Sequence, residues 1–186
     1  MGPRFQAYLL AAGRGARAGG PKAWREHEGQ PLLQRQLDFL KGLFPPERIA
    51  VSVQKDWLTR CSAWDPRVHW VPVDPEAPAL AAVLALARVL PLDDWTFLHH
   101  VDMRVWEPGL FRDLERAAPA AQREGIEALV PVHEGRRGHP VLLSSAIKAG
   151  LLALEPARDR LDVWLRSRKV GEFSAAYACI HDNWNF

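Results

Sequence analysis

Short, uniformly apolar runs alternate with helix-period segments along almost the whole chain, and this alternation restricts the fold more than any other feature. FQAYLLAA, IAVSV, VHWVPV, WTFLHHVD, EALVPV, PVLLS and SAAYACI read as strands. PLLQRQLDFLKGLF, PALAAVLALARVL, PGLFRDLERAA, SAIKAGLLAL and RDRLDVWLRS repeat apolar residues at helical spacing. Pro45-Pro46 stops the first helix, and Pro108 stands near the start of the third, where proline is tolerated. Strands that are apolar on both faces need cover on both faces. The pattern predicts an α/β chain with a mostly parallel sheet and helices on either side.

At 186 residues, with no repeat, low-complexity segment or linker, the chain reads as one domain with a sizeable core. A net charge of +2 gives no argument for nucleic acid or a membrane surface, so any basic site must be local. Cys61 and Cys179 are the two cysteines and have no zinc-like or disulfide-framework spacing. The apolar run at the N-terminus is short and breaks at Gly13, unlike a signal layout, and no run reaches the ~20 residues of a membrane span. These features lead to the expectation of a cytoplasmic protein with reduced thiols.

The first strand opens into GRGARAGGPK. Gly13 to Lys22 holds four glycines, two arginines and a lysine, with no acid before Glu26. Such a loop cannot build a core, but its backbone can wrap a small anion. A Walker A loop is excluded: Pro21 separates Gly20 from Lys22, and Ala23 stands where a hydroxyl would be needed. A dinucleotide fingerprint is excluded too, because Gly13 and Gly15 fit but Gly19 comes one residue late. In open parallel sheets, ligands bind beyond the carboxyl ends of the strands. That geometry brings this loop and Asp102, which follows WTFLHHV, to one rim.

LAAGRGARAGGPK resembles the signature of the nucleotide-sugar-type nucleotidyltransferases, and KAWREHEGQPLLQRQLDFL continues it with Gly-x-Pro-Leu-Leu and a helix. The MobA-like branch, comprising molybdenum-cofactor guanylyl- and cytidylyltransferase relatives, is the most similar. GRRGHPVLLSSAI resembles the Gly-His-Pro-Val segment of cytidylyltransferase members, and DNWN resembles the start of an Asn-x-Asn-Thr-Pro-Glu-Asp segment. The resemblance implies one Rossmann-like, three-layer α/β/α domain of nucleotide-diphospho-sugar transferase type over residues 1–186, without the family's C-terminal helix. It implies an Mg²⁺-dependent transfer of CMP or GMP from an NTP to a phosphorylated acceptor such as molybdopterin, with release of pyrophosphate. A sugar-phosphate acceptor, or a non-catalytic nucleotide-binding protein, are the alternatives.

Carried over by position, Leu10, Ala11, Ala12 and Gly13 would line base and ribose, and Gly15 and Gly19 would shape the loop. Arg17 and Lys22 would hold the triphosphate. The acceptor phosphate is already anionic near neutral pH, so the chemistry needs charge neutralisation and alignment rather than a strong base. Asp102 stands where the family has its metal-binding Asp, and Asn185 aligns with a second metal-holding position. Arg104 replaces the family's usual Pro and adds a cation that would bear on acceptor choice. His139, in Gly138-His139-Pro140, would face the acceptor or sit satisfied at a strand edge. Ala77-Pro78-Ala79-Leu80 lacks the glycine and serine with which relatives read base and ribose, so base choice cannot be read from it. His99 and His100, adjacent on one strand, point to opposite faces and read as packing residues. Trp24, beside Lys22, is the one tryptophan of eight expected near the site.

Overall fold

A computed structural model describes residues 2–15 and 19–184. In chain order its elements are β1 (Phe5–Leu10), β2 (Glu26–His27), β3 (Gln30–Pro31), α1 (Leu32–Lys41), β4 (Ile49–Val53), α2 (Leu58–Ser62), β5 (His69–Pro72) and α3 (Ala79–Val89). There follow β6 (Trp95–His100), α4 (Pro108–Arg123), β7 (Ala128–His133), β8 (Arg136–Arg137), β9 (Val141–Ser144), α5 (Lys148–Leu152), α6 (Leu161–Leu165) and β10 (Val170–Ser174).

The main sheet runs β10-β7-β9-β6-β1-β4-β5, with β8 paired to β7. β1 is parallel to β4 and β6, β4 to β5, and β7 to β10. β9 runs antiparallel between β6 and β7, and β8 antiparallel to β7. The fold is therefore α/β with a mostly parallel, mixed sheet, as the alternation of runs predicts.

β1 lies centrally and is buried on both faces, which explains its uniform apolarity. Ala7 and Leu9 point toward α1 and α4, where they meet Leu33, Leu37, Phe111 and Leu114. Tyr8 and Leu10 point the other way, toward α3 and α5, with Leu80, Val83 and Leu151. This period-two division of one strand between two helical layers makes the three-layer sandwich.

Two expectations need correction. SAAYACI is not the last strand: β10 is Val170–Ser174, and Ala178–His181 is a 3-10 turn. Its alanines favour strand poorly, and at Ala175, whose N–H still reaches Val132 O at 2.8 Å, the chain leaves the sheet. The Tyr177 hydroxyl then donates to Asp113 Oδ2 at 2.8 Å, tying the crossing segment to α4. Conversely, α4 runs past its expected end at Ala118, through Pro119 to Arg123, because Ala118 and Ala121 continue its buried face.

Candidate functional site

Beyond the carboxyl ends of β1, β4 and β6 lies a cleft of about 260 Å³. Leu10, Ala12, Gly13, Gly15 and Lys22 form one wall, and Asp74, Pro75, Ala77 and Ala79 the other, with His100 and Asp102 between them.

The loop after β1 is fixed from below by β4 and the residue that follows it. Ala11 N–H donates to Ser52 O at 3.2 Å and to Ser52 Oγ at 3.1 Å. Gln54 Nε2 donates to Ala12 O at 3.1 Å. Ala11, expected to line base and ribose, instead buries its side chain in the core and is not among the residues lining the cleft. Gly15 has φ +62°, and a Cβ there would fall 2.0 Å from Gly20 O. The Gly20 N–H to Gly15 O bond, 3.2 Å, therefore closes the loop only because residue 15 has no side chain. Gly19 also has positive φ, +73°, and is exposed.

Lys22 opens a 3-10 turn that is anchored by the buried side chain of Ala23. Its Nζ lies 2.7 Å from Asp102 Oδ2, with the two side chains 17% and 22% exposed. The loop's cation and the strand-end carboxylate, 80 residues apart, thus meet at the cleft floor. Arg14 and Glu76 form an ion pair between the loop and the segment leading into α3.

A second chamber of about 500 Å³ adjoins the first and shares Leu10, Ala79 and His100 with it. Leu98, Val141, Leu161 and Leu165 make its walls largely apolar, and His139 also lines it. The rings of His100 and His139 meet edge to face, 5.0 Å apart. Burial pushes both imidazoles below their ordinary range, His139 to about 4, with the proximity of His100 adding to the shift at His139. Both are neutral at pH 7.

The structure therefore brings together Leu10, Ala12, Gly13, Gly15, Lys22 and Asp102, with His139 in the adjoining chamber. Arg104 lines neither: its guanidinium lies 5.3 Å from the Trp184 ring centroid. Arg17 and Asn185 fall outside the described residues. Trp24 packs against Trp57 and Trp64 rather than in the cleft. His99 is a packing residue, wholly buried, whereas His100 faces both chambers instead of packing. Ser52, Asp74 and His100 were not expected at the site. The only sequence signal for them was their position at or just after strand ends.

Among the described residues no group of three or more His, Cys, Asp and Glu side chains is placed to hold a metal ion. A zinc-type cage does not fit. A carboxylate such as Asp102, 22% exposed and lining the cleft, does fit Mg²⁺ or Mn²⁺, which take much of their coordination from substrate oxygens and water.

A mostly parallel sheet whose first strand ends in a glycine loop facing the carboxylate after β6 defines the α/β nucleotide-diphospho-sugar transferase architecture. Residues 7–171 match the MobA-like NTP transferase domain, and the chain belongs to that family. It is 36% identical over 167 residues to 2-C-methyl-D-erythritol 4-phosphate cytidylyltransferase of Pseudomonas putida, covering 86% of this chain and 60% of that protein. The chain thus spans less than two thirds of that curated relative. In structure it is similar to Rv0371c of Mycobacterium tuberculosis H37Rv (TM-score 0.74, 22% identity, 99% of this chain and 95% of that one). Rv0371c has also been solved as a complex with manganese (TM-score 0.70, 22% identity, 92% and 88% covered). Molybdopterin-guanine dinucleotide biosynthesis protein A of Archaeoglobus fulgidus is similar as well (TM-score 0.65, 16% identity, 91% and 83% covered). No helix among the described residues is long and apolar enough to cross a membrane.

Proposed function

We propose that this chain is a divalent-metal-dependent nucleotidyltransferase that moves GMP or CMP from the NTP to a phosphorylated acceptor. The observation that carries the reading is the 2.7 Å meeting of Lys22 and Asp102 at the floor of a cleft walled by the glycine loop. An acceptor phosphate oxygen attacks the α-phosphorus, the bond from that phosphorus to the bridging oxygen breaks, and pyrophosphate leaves with the electron pair. Two anions must approach each other, so the requirement is fixed positive charge and alignment. The loop N–H groups and Lys22 supply the first. Mg²⁺ or Mn²⁺, held by Asp102, would neutralise phosphate charge, and the manganese complex of Rv0371c supports a divalent ion. Lys22 pairs with Asp102 until a triphosphate offers it a stronger partner.

Leu10, Ala12 and Gly13 would line the base and ribose, with Ala77 and Ala79 opposite. Asp74 adds an acceptor-only carboxylate to that wall, which favours a base presenting N–H donors; guanine, with a ring N–H beside its amino group, fits better than cytosine, with an amino group alone. The acceptor's body would enter the second chamber, past neutral His100 and beside His139. Molybdopterin is the acceptor expected from the family resemblance. A polyol phosphate with CTP is the second reading, favoured by the 36% identity to the Pseudomonas putida cytidylyltransferase.

The test is pyrophosphate release with GTP and CTP, Mg²⁺ or Mn²⁺, and a panel of phosphorylated acceptors. Turnover should fall roughly 10²-fold or more in Lys22→Ala and in Asp102→Asn, the size expected for a group that stabilises transition-state charge. Undiminished turnover by either variant would refute the reading.

A further inference from the structure

The core face of α1 is built of leucines, Leu32, Leu33, Leu37 and Leu40, interrupted by one amide, Gln36, which is 0% exposed. A buried amide is costly unless its hydrogen bonds are made, and a methionine or leucine would pack there without that cost. The partners of Gln36 all lie on one short segment. Its Nε2 donates to Val101 O at 3.2 Å and to Met103 O at 2.5 Å. Its Oε1 accepts from Trp106 Nε1–H at 2.9 Å. Both amide hydrogens are used, and Trp106 fixes which way the amide faces.

The two carbonyls that Gln36 holds flank Asp102. The carbonyl between them, Asp102 O, accepts from Trp184 N–H at 2.7 Å. Arg104 N–H donates to Asp182 O at 2.9 Å, and Met103 bridges Asn183 in antiparallel fashion. Val101 N–H is bound to Leu10 O at 3.0 Å, and Met103 N–H to His100 O at 3.1 Å. Three successive carbonyls are thus gripped from two sides, by α1 and by the tail.

We propose that Gln36 is a positioning residue for Asp102, fixing the backbone on either side so that the carboxylate meets Lys22 and a phosphate-bound divalent ion; this rests on the nucleotidyl-transfer reading above. Groups that orient metal ligands from behind typically change metal affinity 10- to 100-fold when removed. Gln36 acts on the frame of the ligand and touches no substrate.

The experiment measures two affinities, using the α,β-methylene analogue of GTP or of CTP as nucleotide probe. One is binding of the analogue without metal. The other is binding of Mn²⁺ in the presence of the analogue, followed by electron paramagnetic resonance. Asp102→Asn, Gln36→Met and Trp106→Phe are compared with wild type. In Gln36→Met, Mn²⁺ affinity should fall about 10-fold or more, with metal-free binding of the analogue unchanged. Trp106→Phe, which removes only the donor that orients the amide, should weaken Mn²⁺ about threefold, the size of one ordinary hydrogen bond. If Gln36→Met does not fold, Trp106→Phe carries the test alone. Mn²⁺ affinity unchanged in these variants but lost in Asp102→Asn overturns the positioning role, as does an equal loss in both affinities. Failure of both analogues to bind wild type, or Mn²⁺ binding indifferent to Asp102→Asn, overturns the underlying reading instead.

Discussion

Gly15 carries a conformational demand that no other residue type meets. Its φ of +62° is strained for a side chain, and the 2.0 Å approach of Gly20 O leaves no room for a Cβ. Gly15→Ala is expected to open the loop and weaken NTP binding by about tenfold or more, since left-handed geometry alone costs about 1–2 kcal/mol. None of the described loop residues, 13–15 and 19–22, belongs to the core, so the thermal midpoint should barely move. Nucleotide titration beside a melting curve checks both halves. Gly15 and Lys22 were legible because local chain chemistry selects them. Ser52, Gln36 and His100 were not, since a serine in a strand, a glutamine in a leucine-rich helix and the second of two histidines acquire roles only from distant partners.

At the scale of elements, β6 shows how one strand serves both layers. His99 points into the core beside Phe111, their ring centroids 6.3 Å apart. Neither of its ring nitrogens has a hydrogen-bond partner among the described residues. Burial pushes its pKa down to about 3, the neighbouring His139 and His100 adding to the shift. Above about pH 6.5 this histidine is neutral both folded and unfolded. As pH falls below that, the unfolded chain takes up a proton that the folded chain refuses, so stability declines down to about pH 3. The contribution is about 1.4 kcal/mol per pH unit for one such group. His99→Leu should therefore remove one share of the loss of stability between pH 6.5 and pH 4, leaving that of His100 and His139, and urea unfolding at several pH values checks it. The strand itself was readable from WTFLHHVD. Which histidine faces the core and which the cleft followed only once the layers were assembled.

Across the whole molecule the two chambers and the core share a backbone. Phe97 on β6 lies where α1 and α4 close over the sheet, meeting Phe5, Phe44 and Phe111 at 5.0–6.1 Å between centroids. Phe97→Ala should cost about 3–5 kcal/mol of stability, measured as a lowered urea midpoint. The α/β layout was legible in the sequence, because a strand covered on both faces must be apolar throughout, and so was the glycine-rich basic loop that directly follows the first strand. The sequence also marked Lys22 and Asp102 as candidates. The meeting of those two side chains, the grip of Gln36 on the Asp102 loop, the apolar chamber beside the cleft and the docking of the tail were decided by tertiary structure alone. Each joins groups dozens of residues apart, and hydrogen bonds and packing act over a few ångströms of space, whatever the separation along the chain.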